Sequence, residues 1–334
     1  VNRAPRASAL ALVAFAAVVS PARAGAAVVR ATAEVAGADA TVEIVETPEL
    51  AGAPAEALAR QAFQEMARAD ADARALAETV AAHPGHPVHP DEAAFDLLAR
   101  ADAFCRWSEN AIGALGGRLF RLWGLDGGAT GRPDPDSLAE AIASTRCDAL
   151  ALDRKAQTFT VATESALDLS PFVPGWAVDR AAAVLAAGGA KSFFARLGPV
   201  ERGVGDGPEG KGWRVEFPKL PGGEAELEPF WLRDHAAAIL TADDRPIRVG
   251  GDTLSRWLDL RQGRPTENLL AVAAVTELAI DAQGVAWAMS ALGPRYGQMS
   301  IGQLRPEPAV LWAIGAGQGP PLVLVEHWST VPKH

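Results

Sequence analysis

Four stretches of this 334-residue chain gather side chains able to bind an anion, a metal ion or a phosphoryl group. RWLDLRQGRP, residues 256–265, sets Arg256, Asp259, Arg261 and Arg264 around Gly263. Arginines around a turn can grip a phosphate through paired N–H bonds, and they can equally pair with aspartates at the surface. LTADDRP, 240–246, places Thr241, Asp243 and Asp244 in one loop. LDLSPFVPGWAVDRAAAVL, 167–185, reads as a strand end, a loop and a helix, an arrangement in which helix N-terminal amides often meet a phosphate. That loop carries Pro171 and Pro174 and no charge between Asp168 and Asp179. HPGHPVHP spaces His83, His86 and His89 three apart. Imidazoles bind zinc or copper, but Pro84, Pro87 and Pro90 stiffen this run, so a solvated connector is expected. No Walker loop, no G-x-G-x-x-G after a strand and no G-x-S-x-G is present.

The elements that must position these loops follow from periodicity. Residues 26–35 and 40–46 read as strands, the second with an imperfect alternation around Val42 and Ile44. Pro54 opens a helix whose inward face is Leu58, Ala62, Met66, Ala69, Ala73, Leu76 and Val80, at steps of three and four. A second helix starts at Pro90, with Asp91 and Glu92 in its first turn and Phe95, Leu98, Ala101 and Cys105 inward. Asp134 and Pro135 mark the cap and first turn of a third. DALALD and QTFTVAT form two strands around a turn, and a helix from about Trp176 ends at Gly188-Gly189. KSFFARLG, GWRVEF, PFWLRD, LLAVAAV, AVLWAIG and PLVLVEH read as strands. A further helix runs from about Ala279 to Ala291 and stops at Gly293-Pro294, and Gly203–Gly212 reads as the most flexible loop. Strands and helices mix without strict alternation, repeat or linker, which indicates a single α+β domain.

The chain is 49% hydrophobic, enough for a large core, with a net charge of −10. Arg3 and Arg6, the apolar run ASALALVAFAAVVS and Ala22-Arg23-Ala24 together read as a secretory signal over residues 1–24, too short to span a bilayer. Its removal takes three arginines and no acids, leaving −13 for residues 25–334. An exported, periplasmic protein with no transmembrane segment is expected, and such an acidic chain is a poor candidate for nucleic acid. Cys105 and Cys147 can pair in an oxidising compartment, though two buried thiols are the plainer expectation, since sequence does not give their separation.

Taken in order, four segments resemble the ApbE family, the FAD:protein FMN transferases. SENAIGALGGRLFRLWGL is similar to the family's S-G-G-A-F-D-P-T-V-G-P-L-V-x-L-W-G. LDLSPFVPGWAVDRAAAVL is similar to L-D-L-G-G-I-A-K-G-Y-A-V-D-R-A-A-x-x-L. WLDLRQGRP is similar to the end of H-I-I-D-P-R-T-G-R-P, and DAQGVAWAMSALGP stands where the family has A-D-A-L-A-T-A-L-F-V-L-G. The likeness runs from about residue 35 to the C-terminus. It implies one flavin-transferase-like domain of mixed sheets flanked by helices, binding FAD and magnesium. It also implies transfer of FMN, through its phosphate, to a threonine or serine of a partner flavoprotein.

Carried over position by position, the resemblance leaves the metal site without ligands. The family's metal-binding aspartate falls on Gln283, the threonine four residues later on Trp287, and the Gly-Gly loop on Ser170-Pro171. The loop lysine falls on Pro174, the histidine before I-I-D on Arg256, and the A-F-D aspartate on Gly113. Asp281 replaces the lost ligand only if the alignment slips. The implied flavin-binding set is Asp168, Arg256, Trp257, Asp259 and Arg261, with no catalytic residue identified. In that set Arg256, with Arg261 behind it, offers fixed positive charge in place of an ion. Three readings follow: an FMN transferase with impaired transfer, an inactive flavin-binding or flavoprotein-binding module, or another exported role for the scaffold.

Overall fold

The computed structural model describes residues 16–20, 26–125, 131–220, 227–249, 251–267, 269–315 and 320–332. The expected cleavage site at 22–24 lies outside them. Nine strands build the main sheet: β1 (Ala16–Ser20), β2 (Val28–Val35), β3 (Ala38–Val45), β4 (Phe193–Leu197), β5 (Val200–Val204), β6 (His235–Thr241), β7 (Leu269–Thr276), β8 (Ala309–Ile314) and β9 (Leu322–Glu326). Their order across the sheet is their order in the chain, and every neighbouring pair is antiparallel. β1 comes from the stretch read as a leader and pairs with Val28–Thr32 at one edge.

Between β3 and β4 lie five helices: α1 (Ala53–Ala82), α2 (Glu92–Trp107), α3 (Gly117–Leu122), α4 (Pro135–Ala143) and α5 (Val173–Ala187). The sixth, α6 (Ala279–Ile301), joins β7 to β8 and is broken at Gly293 (φ 66°, ψ 174°), where Pro294 starts a second helical stretch. The helix expected to stop at Gly293-Pro294 does turn there. All seven positions expected on the inward face of α1 are buried, as are Phe95, Leu98, Ala101 and Cys105 of α2. Asp91 caps α2 by accepting the Ala94 N–H (2.8 Å), and Asp134 caps α4 by accepting that of Ser137 (3.0 Å).

The central strands are buried on both faces, so period two sorts their residues into two cores. Ala236, Ala238 and Leu240 of β6, Val272 and Ala274 of β7, and Val310 and Trp312 of β8 face the helical layer. Ala237, Ile239, Ala273, Val275 and Leu311 face the opposite side. There a small ribbon, Trp213–Val215 paired with Phe230–Leu232, covers them with Trp328 and Val331. Three short two-stranded ribbons complete the fold: 150–161, 247–254 and 258–265.

Three local readings change. Val200–Val204 is a paired strand, so the flexible-looking stretch begins later than Gly203. His235–Thr241 is a central strand hidden by its alanines, because alanine carries little β preference. Cys105 and Cys147 are not free thiols but a disulfide, linking the end of α2 to the turn before the 150–161 ribbon. Among the described residues no helix is long and apolar enough to cross a membrane. Because the bridge closes a loop of sequence separation 42, replacing both cysteines by serine is expected to cost about 4 kcal/mol. The loss reads as a lower urea midpoint, which a reducing agent reproduces on the wild-type chain.

Candidate functional site

Helix N-termini bind phosphates when their first amides are free. At α5 none is. The Val173 N–H bonds Leu169 O (3.1 Å), Pro174 has no N–H, the Gly175 N–H bonds Gln283 Oε1 (2.6 Å), and the Trp176 N–H bonds Phe172 O (3.1 Å). The helix begins at Val173, before the expected Trp176, and takes Pro174 into its first turn, where proline is tolerated. The preceding loop is closed by its own Asp168, whose Oδ1 accepts the Ser170 N–H (2.9 Å).

The positions where the resemblance expects metal ligands are committed to packing. Gln283 is buried and holds the Gly175 amide. Trp287 is 1% exposed and donates its indole N–H to Leu258 O (3.0 Å). Its ring centroid lies 5.6 Å from that of Phe172 and 6.2 Å from that of Phe120. Pro171 precedes the buried Phe172. A Cβ on Gly113 would stand 3.0 Å from Cys105 Sγ, so the disulfide fills the space of a larger side chain. Asp281 is paired with Arg100 at 2.5 Å. No group of three or more His, Cys, Asp or Glu able to hold a metal occurs among the described residues, His83, His86 and His89 included. His83 Nδ1 sits 3.1 Å from Thr79 O at the end of α1. A divalent ion therefore does not fit the donors present.

The five residues expected to bind a flavin separate into two groups. Asp259, 4% exposed, and Arg261 form a two-point ion pair (3.0 and 2.7 Å) on the 258–265 hairpin, and the same carboxylate also accepts the Arg261 N–H. The pair raises the Arg261 guanidinium pKa, and its remaining bond reaches Ala291 O. Arg261 thus does not stand behind Arg256 as free positive charge. Trp257 is buried and donates its indole N–H to Thr241 O (3.2 Å).

Arg256 is different. Its guanidinium lies 5.5 Å from the Trp257 ring and makes no hydrogen bond or ion pair with any described residue. Burial, then Arg245, push its pKa down, while Asp244 and Asp168 pull it up. It lines a cavity of about 290 Å³ with Arg245, Arg248, Trp123, Leu125 and Ile247. Asp168 and Arg256, distant in sequence, therefore share one electrostatic neighbourhood. Arg245 and Arg248 are missing from the sequence-based set. The signal for Arg245 was the charged loop LTADDRP; Arg248 carries no motif. Three guanidiniums, one of them (Arg245) also paired with Asp244 (3.6 Å), beside Trp123, Leu125 and Ile247 suit a compact polyanion, and the volume sits near the small end of the ~300–1,000 Å³ typical of ligand clefts.

Three local contacts fix the surroundings. Trp123 donates to Gly263 O (2.7 Å), tying α3 to the hairpin. Gly263 (φ 63°) has no room for a side chain, since a Cβ would lie 2.7 Å from Ile142. Asp179 caps α6, accepting the Ala279 and Ile280 N–H groups (3.0 Å each) and pairing with Arg202 (2.5 Å). Burial raises its pKa, against the pull of Arg202 and those amides.

The ApbE family model matches residues 35–312. Among solved structures, the ApbE protein of Thermotoga maritima superposes with TM-score 0.79 at 19% identity, covering 96% of this chain and 99% of that one. The flavinyl transferase ApbE of Pseudomonas stutzeri gives 0.74 at 21%, covering 94% and 95%. The flavin transferase ApbE of Vibrio cholerae gives 0.74 at 19%, covering 94% and 98%. Among curated proteins nothing matches. At these identities the structural likeness speaks for the fold.

A Cβ on Gly175 would stand 2.6 Å from Ala279 O and from Ile280 Cα. Gly175→Ala is therefore expected to destabilise the protein by about 1–3 kcal/mol through overpacking. Ser170→Ala, at an exposed neighbour, should stay within about 0.5 kcal/mol. Thermal melts of the two variants check the contrast.

Proposed function

The chain belongs to the ApbE family, and from that membership we propose that it binds FAD through an arginine-lined anion cavity while FMN transfer is impaired. The guanidinium of Arg256, which has no hydrogen bond or ion pair among the described residues, carries the reading, with Arg248 and the Asp244-paired Arg245 beside it. Its natural ligand is the diphosphate of FAD: the three guanidiniums neutralise it, and Trp123 and Leu125 exclude water beside it. Asp168 and Asp244 oppose the loss of charge that burial imposes on Arg256. In the family reaction the P–O bond from the FMN phosphorus to the bridging oxygen of FAD breaks as a threonine or serine oxygen of a partner flavoprotein bonds to that phosphorus. The hydroxyl proton and AMP leave. Charge accumulates on the phosphoryl oxygens, and here fixed guanidiniums must stabilise it, because Gln283 and Trp287 leave no donor set for magnesium. A guanidinium is a weaker substitute for a divalent ion, which supports impaired transfer.

A second reading is an inactive flavin-binding or flavoprotein-binding module. It is favoured by Asp281, two residues before Gln283, being held by Arg100. Export to the periplasm is also proposed. The leader-like residues 1–24 and the disulfide, a bond of oxidising compartments, support it.

Titration with FAD distinguishes these readings. We expect binding that a chelator leaves unchanged and that Arg256→Ala weakens by about tenfold or more, the scale of a charge-assisted hydrogen bond. Supplied with FAD, magnesium and a partner flavoprotein, the protein should yield little or no covalent flavin fluorescence on a denaturing gel. Strong magnesium-dependent labelling would refute the impairment. Any labelling that does occur should persist with a chelator, and its complete absence despite FAD binding selects the module. The N-terminus of protein recovered from a periplasmic extract should lie near Gly25; an N-terminus retaining the leader would count against export.

A further inference from the structure

On the side of the sheet away from the helices, the ribbon 213–232 covers β6–β8 but leaves part of β2–β5 open. That open floor carries charge. Arg30 pairs across strands with Glu43 (3.3 Å), and the register sets Thr41 opposite Arg196 and Arg196 opposite Glu201. A cavity of about 1,040 Å³ stands over it, the largest among those described, walled by Arg214, Glu216 and Phe217 on one side and by Asp243, Asp244 and Arg245 on the other. It shares only Arg245 with the arginine cavity.

Seven carboxylates and four guanidiniums line this groove. Three of the guanidiniums have partners inside it: Arg30 with Glu43, Arg214 with Glu216, and Arg245 with Asp244. The remainder is Arg196 against Glu34, Asp39, Glu201 and Asp243, an acidic excess. Acidic excess alone is ordinary surface; Glu201 is not. It is 8% exposed, on the groove floor, and makes no hydrogen bond or ion pair with any described residue. Burial without a partner pushes its carboxyl up to about 7, against the pull of Arg196. Arg196 meanwhile holds Thr41 Oγ1 (3.4 Å), and its buried Nε has no partner. Elsewhere in the groove, Phe194, Pro199, Phe217 and Ile239 supply apolar lining.

We propose that this groove is a second binding site, taking a primary amine on an apolar stem, its ammonium group seated on Glu201. A methylene chain suits the aromatic and aliphatic walls, and the ammonium supplies the hydrogen bonds that Glu201 lacks. The amine is either a free aliphatic diamine or a lysine side chain of an extended peptide. The site does not depend on the flavin reading, because FAD and amine occupy different cavities.

Calorimetric titration of the full chain with 1,5-diaminopentane, and with a blocked Ala-Lys-Ala peptide, tests it. Glu201 must be ionised to bind, so affinity should be about tenfold higher at pH 8 than at pH 6, the ratio of ionised fractions for a carboxyl titrating near 7. Preference for the diamine identifies a small-molecule site, and preference for the peptide identifies a protein ligand. Glu201→Gln should abolish binding. The same substitution removes a carboxylate whose ionisation opposes folding, so it should raise the melting temperature at pH 8 and leave it little changed at pH 4.5. On the wild-type protein, the N,N′-diacetylated diamine should not bind. Equal binding of that neutral analogue, binding undiminished in the folded variant, or no binding of either amine at pH 8 overturns the proposal.

Discussion

The crossing of α5 over α6 is the constraint on which the rest of the structure depends. It requires a residue without a side chain at Gly175, because the α6 backbone passes where a Cβ would be. Two polar clamps then fix the contact. Gln283 takes the Gly175 amide, and Asp179 takes the first two amides of α6 while holding Arg202 of β5. Helix, helix and sheet are joined at one point, and α6 is held at a definite depth. That depth sets where Trp287 falls, and Trp287 in turn holds the 258–265 hairpin through Leu258 O.

One consequence runs through the candidate site. The same residues that secure this crossing stand where the resemblance expects metal chemistry. An uncharged amide that accepts a hydrogen bond from Gly175 stabilises packing without offering a cation any net charge. An indole packed between Phe172 and Phe120 fills the space at its position. Positive charge is gathered instead in the neighbouring cavity, which Arg245, Arg248 and Arg256 line.

The sequence was legible where periodicity and capping are local. The long α1 face, the Asp134-Pro135 start of α4 and the glycine stop of α5 need only near neighbours, and all are present. Family resemblance carried the fold across distances that periodicity does not reach. His235–Thr241 escaped because HAAAILT has the composition of a helix, and only burial on both faces makes it a strand. Asp259 and Arg261 were read as binding groups because spacing does not reveal that two neighbours satisfy each other. The cysteine bridge, Arg248 and Glu201 were opaque for one reason. Each acquires its meaning from chain segments far away in sequence, and none belongs to a local pattern.

The strict chain order of the main sheet has a last implication, for folding order. Most neighbouring strands are joined by short or moderate connections, but β3 and β4 are separated by residues 46–192, with five helices between them. Closing so large a loop is entropically costly, so this seam is the natural candidate to form last and to part first under load. The seam sets Thr41 beside Arg196 and runs beneath the acidic groove. An occupant lying across that groove would act as a splint, bridging the two halves of the sheet along their weakest join.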